Sequence, residues 1–377
     1  MKNFNLYICG IFIFFMIFIF SCNLAPDKVF SETENRNLAQ RPEFSIQNLI
    51  SGKFSKDFEL YIQDQFAARE FWVTLKTEVE VLLGKNENND TYLGKDNWYF
   101  EKKEITNTET LEKNVSIINQ FIQWAEENNI KSSFLPVYSS YTMYKEFLPS
   151  NALVFDEISA FEYIKSNISK DVNVIDIYNT LLSHKDEYIY FKTDHHWTQL
   201  GAFYAYRQLE SLGFVPYSLE DFEIKEGAED FFGSLYSKAP LWRVNADRVD
   251  IFELNKDLRP KYTVEYFDKA SYEEDLYVWE NLDKKDKYTV FLDGNHSIIT
   301  IKTDIDNNKK LLVAKDSFAH TLIPFLANHY SEIHVMDLRY YSPSVKKYIL
   351  QNNITDTLFI YNISWFSQDS NLIKLKY

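Results

Sequence analysis

Residues 310–338 read KLLVAKDSFAHTLIPFLANHYSEIHVMDL, and this stretch decides the fold class. Its apolar run 310–315 is typical of a buried strand, and a helical pattern at 321–328 leads to a second apolar run at 333–338. A strand, a helix and a second strand in this order form the repeating unit of a parallel sheet. The stretch therefore predicts a parallel α/β domain with Ser317 between the first strand and the helix.

The same alternation continues outward along the chain. Further strand-like runs are SSFLPVY (132–138), VNVIDIY (172–178) and TLFIYN (357–362), with helical patterns at 110–128 and 198–212. Near-continuous apolar strands separated by helices indicate a mostly parallel sheet that is covered on both faces. Residues 234–303 differ, because the strand-like pieces VDIFEL, YTVEYF, KYTVFL and SIITIK replace the helical patterns. We expect an α/β fold in which this β-rich excursion returns to the same sheet.

The composition excludes several classes of protein. Of the 377 residues, 45% are hydrophobic and only 9 are glycine and 9 proline, which argues against a disordered or linker-dominated chain. The formal net charge of -15 comes without clustered basic residues, so nucleic-acid binding is not expected. Both cysteines, Cys9 and Cys22, precede the expected fold, which therefore has neither a disulfide framework nor a thiolate metal site.

Residues 4–20, FNLYICGIFIFFMIFIF, are almost wholly apolar and predict a membrane signal. Ser21 and Cys22 follow in a context that resembles a bacterial lipobox, so lipidation of Cys22 is one outcome. An uncleaved anchor and simple cleavage are the other two. Each outcome delivers the remaining chain to the far side of a membrane.

The predicted organisation has three parts. Residues 1–22 form the signal or anchor, 23–90 a polar stalk with a helical segment, and 91–377 the α/β domain. Within the helical segment, apolar residues recur at spacings of three and four over 51–83. This periodicity predicts one amphipathic packing helix with a buried stripe.

The run 190–198, YFKTDHHWT, leaves a strand-like stretch and enters a predicted helix at Thr198. In extended backbone residues i and i+2 share a side, so Asp194 and His196 are expected to face one cavity and His195 to point away. A carboxylate beside an imidazole orients the ring and stabilises the imidazolium, as a general base requires. A helix cap, a metal site and a satisfied polar cluster remain open as alternatives.

Ser317 occupies the place where parallel α/β sheets bind ligands. It follows the carboxyl end of a predicted strand and precedes a helix, whose N–H groups and dipole can stabilise an oxyanion. The expected fold has no cysteine, so its nucleophile must be an oxygen or an amine, and Ser317 is a candidate. Serine is also a common N-cap, and that role stays open.

Several blocks of the sequence occur together in one known family. They are FSETENRNLAQRPEFS (30–45), DFELYIQDQFAARE (57–70), YLGKDNWYFEK (92–102), DHHW (194–197), FFGSLYSK (231–238), KYTVFLDGNHSIITI (287–301) and LLVAKDSFAH (311–320). With these blocks in order, the chain resembles the DHHW family of bacterial surface proteins, relatives of the periplasmic SGNH-like proteins that O-acetylate alginate. The resemblance implies an SGNH-hydrolase-like three-layer α/β/α fold.

The resemblance also implies roles for three residues. In that group the Asp-x-His pair supplies the orienting acid and the base, and a later serine is the nucleophile; here these are Asp194, His196 and Ser317. Ordinary SGNH hydrolases place the serine first, but a triad is defined by geometry and not by chain order. The alginate-acetylating relatives have threonine where this chain has His195, so we predict only that His195 packs or lines the substrate site.

Four further residues are candidates for binding. Gly294 and Asn295 have the residue types of an oxyanion hole, although the same pair is typical of a hairpin turn. Arg339 follows a predicted strand and could bind substrate or pair with Asp337. Tyr144 could stack on a sugar ring.

We therefore predict an exported O-acetyltransferase or acetylesterase that is anchored on the extracytoplasmic face of the bacterial cell membrane and acts on a cell-surface polysaccharide. The resemblance implies a membrane-bound O-acyltransferase as partner, because relatives are often encoded with one. No metal ion or organic cofactor is expected. The alternative is a non-catalytic glycan-binding or assembly subunit of a polysaccharide acetylation system.

Overall fold

The computed structural model describes residues 2–22, 26–103, 108–269 and 271–377, without the side chains of residues 2–6, 18–22, 271 and 272. The side chain of Cys22 is thus outside the described part, and its lipidation stays a prediction. Among the described residues, no helix combines the length and the hydropathy needed to cross a bilayer. The chain divides into two compact units, one formed by Met1–Asn88 with Ser237–Val244 and the other by Asn89–Tyr236 with Asn245–Tyr377.

The first unit contains helices of different lengths and strands of two residues each. They are α1 (Lys2–Cys22), β1 (Phe30–Ser31), β2 (Arg36–Asn37), α2 (Ile46–Ile50), α3 (Lys53–Asp64), α4 (Arg69–Leu82) and β3 (Glu87–Asn88). The prediction of one packing helix over 51–83 is wrong. The helical conformation is interrupted between α3 and α4, where Ala68 has a left-handed φ of 52°. Helix α3 buries none of its residues, and α4 buries only Thr74 and Thr77. Apolar periodicity reveals an apolar face, whereas burial depends on what packs against it.

The second unit holds the remaining elements. Its strands are β4 (Thr91–Leu93), β5 (Tyr99–Glu101), β6 (Lys131–Val137), β7 (Asn173–Val174), β8 (Phe222–Phe231), β9 (Asp247–Leu254), β10 (Tyr262–Tyr266), β11 (Ser271–Glu273), β12 (Ile298–Thr303), β13 (Lys310–Lys315), β14 (Glu332–Met336) and β15 (Asp356–Asn362). Its helices are α5 (Glu109–Glu127), α6 (Ser140–Met143), α7 (Glu157–Asn167), α8 (Tyr178–Ser183), α9 (Gln199–Tyr206), α10 (Ser234–Lys238, which ends in the first unit), α11 (Ile323–Leu326), α12 (Val345–Gln351) and α13 (Ile363–Phe366).

Eight strands form the main sheet, in the order β11-β10-β12-β14-β13-β15-β6-β7. The five strands from β14 to β7 are parallel, whereas β12, β10 and β11 join antiparallel. Strands β8 and β9 form a separate antiparallel pair. The predicted SGNH-like α/β/α fold, with a mostly parallel sheet and a β-rich insertion that returns to it, is confirmed.

The deciding stretch folds largely as its pattern predicts. In β13, Leu311, Leu312, Val313 and Ala314 are all buried, as a central strand covered on both faces requires. The helix that follows is shorter than expected, because a 3-10 turn at Ser317–Thr321 precedes the single turn of α11. The turn places Ser317 at the carboxyl edge of the sheet.

One predicted strand of the excursion is absent. Residues 287–292 have the composition of a strand, but Lys287–Val290 form a 3-10 helix. A strand needs a hydrogen-bonded neighbour, and β-propensity reflects packing on a pleated surface more than a preference of the backbone. This short helix matters for the site, because it carries Tyr288.

Candidate active site

The DHHW segment is a tight loop and not an extended strand. Residues 192–196 form successive bends, closed by an antiparallel bridge between Tyr190 and Trp197. The N–H of Phe191 donates to the carbonyl of His196 at 3.2 Å across the base of the loop. Thr198, and not the Asp-His pair, caps α9, because its hydroxyl accepts from the N–H of Gly201. The capping alternative for Asp194 and His196 is therefore excluded.

The buried carboxylate of Asp247 on β9 holds this loop in place. It accepts the N–H of Lys192 at 2.9 Å, the N–H of Thr193 at 2.7 Å and the Thr193 hydroxyl at 2.5 Å. Burial raises the pKa of Asp247, and these donors oppose the shift. The β-rich insertion thus supplies the support on which the loop is built.

The loop and the turn after β13 bring three predicted residues together. His196 Nε2 lies 2.7 Å from Ser317 Oγ, and His196 Nδ1 lies 2.6 Å from Asp194 Oδ1. An ionised carboxylate can only accept, so Nδ1 carries the proton and Nε2 is free to accept from the serine hydroxyl. Asp194 and His196 are 3% and 6% exposed, whereas Ser317 is half-buried. This is the geometry of a nucleophile, a base and an orienting acid.

Ser317 is free for that role because its neighbour does the capping. Asp316 is the N-cap of the turn: its carboxylate accepts the N–H of Phe318 at 3.0 Å and the N–H of Asn362 at 2.6 Å. The indole N–H of Trp197 donates to the carbonyl of Phe318 at 2.9 Å. The tryptophan of the DHHW motif thereby ties the loop to the turn that carries Ser317.

Electrostatics favour an ionised Asp194 and a neutral His196. Burial alone would raise the pKa of Asp194, but the imidazoles of His195 and His196 and the hydrogen bonds from His196 and from the N–H of Ser234 hold it well below its usual value. Burial, helped by the neighbouring charge of His195, lowers the pKa of His196 to about 4. At neutral pH the imidazole can therefore accept a proton.

His195 does not point away from the pair, so that prediction is wrong. Its ring centroid lies 3.8 Å from that of His196, and its Nδ1 lies 2.9 Å from Ser234 Oγ and 3.5 Å from Asp194 Oδ1. The alternation of extended backbone does not apply to a series of bends. With a side chain that is 32% exposed, His195 lines the approach to the buried pair.

Asp194, His195 and His196 could also be considered as metal ligands. Among the described residues, they place one ligand atom each within 4.8 Å of one another. Those atoms are already engaged: His196 uses both nitrogens, and both oxygens of Asp194 accept hydrogen bonds. A metal ion bound by His196 would have to displace its contact with Ser317 or with Asp194.

Gly294, Asn295 and Arg339 make no described hydrogen bond with Ser317, His196 or Asp194. Gly294, with a φ of +82°, ends a left-handed turn, and Asn295 Oδ1 accepts from Lys315 Nζ and Arg339 Nη2, both at 3.0 Å. Arg339 also pairs with Asp337 at 2.6 Å. The described hydrogen bonds of Asn295 and Arg339 thus join them to each other and not to Ser317.

Tyr144 has no free face for a sugar. Its ring is buried and stacks on Trp98 with 4.3 Å between the centroids. The prediction that it binds a sugar ring is therefore corrected, and the residue belongs to the core beside β5 and β6.

Besides Asp247, three supporting residues were not predicted from the sequence. Gly233 lies so close to Asp194 that a Cβ at this position would be 2.3 Å from the Asp194 Cβ. Ser234 donates its N–H to Asp194 and contacts His195. Tyr288 lies over the ring of His196. The FFGSLYSK and KYTVFLDGNHSIITI blocks contain these residues, but nothing in their spacing connects them with the DHHW run.

The fold places the chain in the class of α/β/α proteins with an SGNH-like fold. The family model described as DHHW protein matches residues 150–336. This match confirms the resemblance to the DHHW family that the sequence blocks indicated. A search of curated proteins found no significant match.

Solved structures share the architecture. A DHHW family protein from Eubacterium siraeum has 22% sequence identity and a TM-score of 0.63, covering 77% of this chain and 96% of its own. Bacillus cereus PatB1 with a sulfonyl adduct has 22% identity and a TM-score of 0.65, covering 77% of this chain and 100% of its own. A second structure of Bacillus cereus PatB1 has 24% identity and a TM-score of 0.62, covering 73% of this chain and 97% of its own. At these identities the likeness establishes the fold.

Proposed function

We propose that this protein is an O-acetyltransferase or acetylesterase that acts on a cell-surface polysaccharide through an acyl-enzyme on Ser317. The observation that carries the proposal is a hydrogen-bonded series of three side chains. Ser317 Oγ lies 2.7 Å from His196 Nε2, and His196 Nδ1 lies 2.6 Å from Asp194 Oδ1. The series lies at the carboxyl edge of a parallel sheet, where such folds bind their ligands.

The reaction has two halves. Ser317 Oγ attacks the acetyl carbonyl while His196 Nε2 takes its proton, and the imidazolium returns that proton to the departing alcohol as acetyl-Ser317 forms. In the second half, His196 removes a proton from a sugar hydroxyl or from water, which attacks the acetyl group. Ser317 then leaves as its oxyanion and takes the proton back from His196. Asp194 orients the ring and stabilises the imidazolium in both halves.

The turn after β13 can supply part of the oxyanion site. The first N–H groups of a helical turn have no partner within it, and Ser317 is the first residue of this turn. Its backbone N–H is therefore a donor for the developing oxyanion, whereas the N–H of Phe318 is already bonded to Asp316.

The setting follows from the family resemblance and the N-terminal segment. The apolar stretch 4–20 supports the proposal that the domain is exported and anchored on the extracytoplasmic face of the bacterial cell membrane. A membrane-bound O-acyltransferase is the partner that would bring acetyl groups across the membrane. The chemistry assigned to Ser317, His196 and Asp194 calls for no metal ion or organic cofactor.

Covalent labelling tests the proposal. Phenylmethylsulfonyl fluoride should add one sulfonyl group to Ser317, detected by intact mass and located by peptide mass spectrometry, because only an activated serine attacks such a reagent. The sulfonyl adduct of the PatB1 structure motivates the choice of reagent. The rate should be unchanged in EDTA. A wild-type protein that is not labelled would favour the glycan-binding alternative, and labelling that EDTA abolishes would favour a metal site.

The pH dependence of labelling reports on His196. Since its pKa is lowered to about 4, the base is neutral at all higher pH values, and the rate should fall only as pH drops through about 4. An ordinary solvated histidine would give a midpoint at about 6.5. Asp316 is a second group that could titrate beside Ser317, because burial raises its pKa to about 6. If His196 alone sets the midpoint of the labelling rate, an Asp316→Asn variant should keep the low midpoint. A midpoint of about 6.5 in both proteins would contradict the buried base.

A further inference from the structure

Tyr288 contacts both the predicted base and the predicted nucleophile. Its ring lies parallel to the imidazole of His196, with 3.9 Å between the centroids and 6° between the planes. Its hydroxyl donates to the backbone carbonyl of Ser317 at 2.9 Å. The side chain is buried, and it comes from the 3-10 helix Lys287–Val290 in the β-rich insertion.

We propose that Tyr288 is a positioning residue that holds His196 and Ser317 in register for proton transfer. The inference rests on the proposed function. Base and nucleophile come from segments 121 residues apart, and no covalent constraint joins them. One rigid side chain that touches both can keep the separation between Nε2 and Oγ within hydrogen-bond reach, and proton transfer depends steeply on that separation.

The stack fixes the plane of the imidazole. Rotation of the ring about its χ2 torsion would carry Nε2 away from Ser317, and the parallel face of Tyr288 opposes this rotation. His195 and Phe318 also contact the ring, with centroid separations of 3.8 and 5.0 Å.

The hydroxyl of Tyr288 acts as a fixed donor. Burial raises the pKa of the phenol well above its usual value, so the group stays neutral and cannot replace His196 as the base. Its hydrogen bond holds the carbonyl of Ser317 and with it the orientation of the peptide that follows. The contribution of Tyr288 is therefore made through other residues.

Tyr277 is a matched control. It lies in the same insertion and is buried, and its hydroxyl donates to the carbonyl of Phe252 at 2.7 Å and accepts from Gln199 Nε2 at 2.8 Å. Tyr277→Phe removes a buried hydroxyl of the same kind without altering the contacts of His196 or Ser317. Tyr288→Phe keeps the stack and removes the hydroxyl that donates to the carbonyl of Ser317.

We expect Tyr288→Phe to lower the rate of sulfonylation and the kcat for p-nitrophenyl acetate by roughly 10- to 100-fold with little change in KM, because misplaced reacting groups slow the chemical step. Tyr277→Phe should keep both rates while losing a similar amount of thermal stability. The proposal would be overturned if Tyr288→Phe reacted as fast as the wild type. It would also be overturned if Tyr288→Phe and Tyr277→Phe lost equal fractions of the sulfonylation rate and of kcat.

A second measurement does not need activity. NMR titration of protein with ¹⁵N-labelled histidine follows the imidazole of His196, whose surroundings include Asp194, His195 and the charge of Glu101. In Tyr288→Ala, water should reach the ring and its pKa should rise from about 4 toward the ordinary range, because burial is the largest cause of the low value. An unchanged titration would refute the stacking role. If the wild type is not labelled, the proposed function fails, while this titration still decides whether Tyr288 holds His196.

Discussion

Ser317→Ala and His196→Ala are each expected to lower turnover of p-nitrophenyl acetate by roughly 10³- to 10⁶-fold. Loss of the serine removes the proposed nucleophile, and loss of the histidine removes the proposed base, whose Nε2 lies 2.7 Å from Ser317 Oγ. Because the two act as a unit, the double variant should lose little more than either single one. Steady-state kinetics on folded protein, checked by circular dichroism, measures the effect.

A serine elsewhere provides the control. Ser344 also begins a helix, where its hydroxyl accepts from the N–H of Lys347, and Ser344→Ala should cost only about 1 kcal/mol of stability and leave turnover intact. Asp194→Asn should lose less activity than the other triad variants, since His196 would remain as a misoriented base. Additive losses in the double variant, or full activity of Ser317→Ala, would exclude the acyl-enzyme.

Gly233→Ala is expected to lower the same turnover by roughly 10²-fold or more, although the residue touches no reacting atom. A Cβ on Gly233 would lie 2.3 Å from the Cβ and 2.7 Å from Oδ2 of Asp194, closer than real Cβ atoms approach their neighbours. Asp194 would have to move, and its hydrogen bond to His196 would move with it. Kinetics of p-nitrophenyl acetate hydrolysis, with labelling of Ser317 as a second readout, measures the loss.

Gly227 separates this effect from general destabilisation. A Cβ on Gly227 would lie 2.9 Å from the carbonyl oxygen of Val249, in the β8–β9 pair and not beside Asp194. Gly227→Ala should therefore lower the melting temperature but keep the turnover of the folded molecules. If Gly233→Ala and Gly227→Ala both lower the melting temperature and both keep turnover, then the close approach of Gly233 to Asp194 is not needed for activity.

Strand β8, the loop that follows it and the β-rich insertion all contribute residues that support the site. Asp247 on β9 holds the DHHW loop, Gly233 and Ser234 follow β8, and Tyr288 comes from the 3-10 helix beyond β11. The parallel sheet carries Ser317, whereas the insertion contacts the loop that carries Asp194 and His196.

Several features were predictable from the sequence because they depend on neighbours in the chain. The apolar run of β13 follows from burial on both faces, and helix α5 was predicted within one residue at each end with Leu111, Val115 and Ile118 on its buried face. The place of Ser317 at the end of a strand follows from the same local patterns. Side chains repeat every 3.6 residues in a helix and every 2 residues in a strand, so both elements leave a local pattern in the sequence.

The tertiary structure alone decided the rest. Composition did not distinguish a strand from the 3-10 helix that carries Tyr288, because only the neighbouring elements select between them. Alternation placed His195 on the wrong side, because the bends of its loop are held by Asp247, which lies more than fifty residues away. Above all, the 2.7 Å contact between His196 and Ser317 joins segments 121 residues apart. No local pattern encodes such a distance, because it results from how the sheet and its insertion pack together.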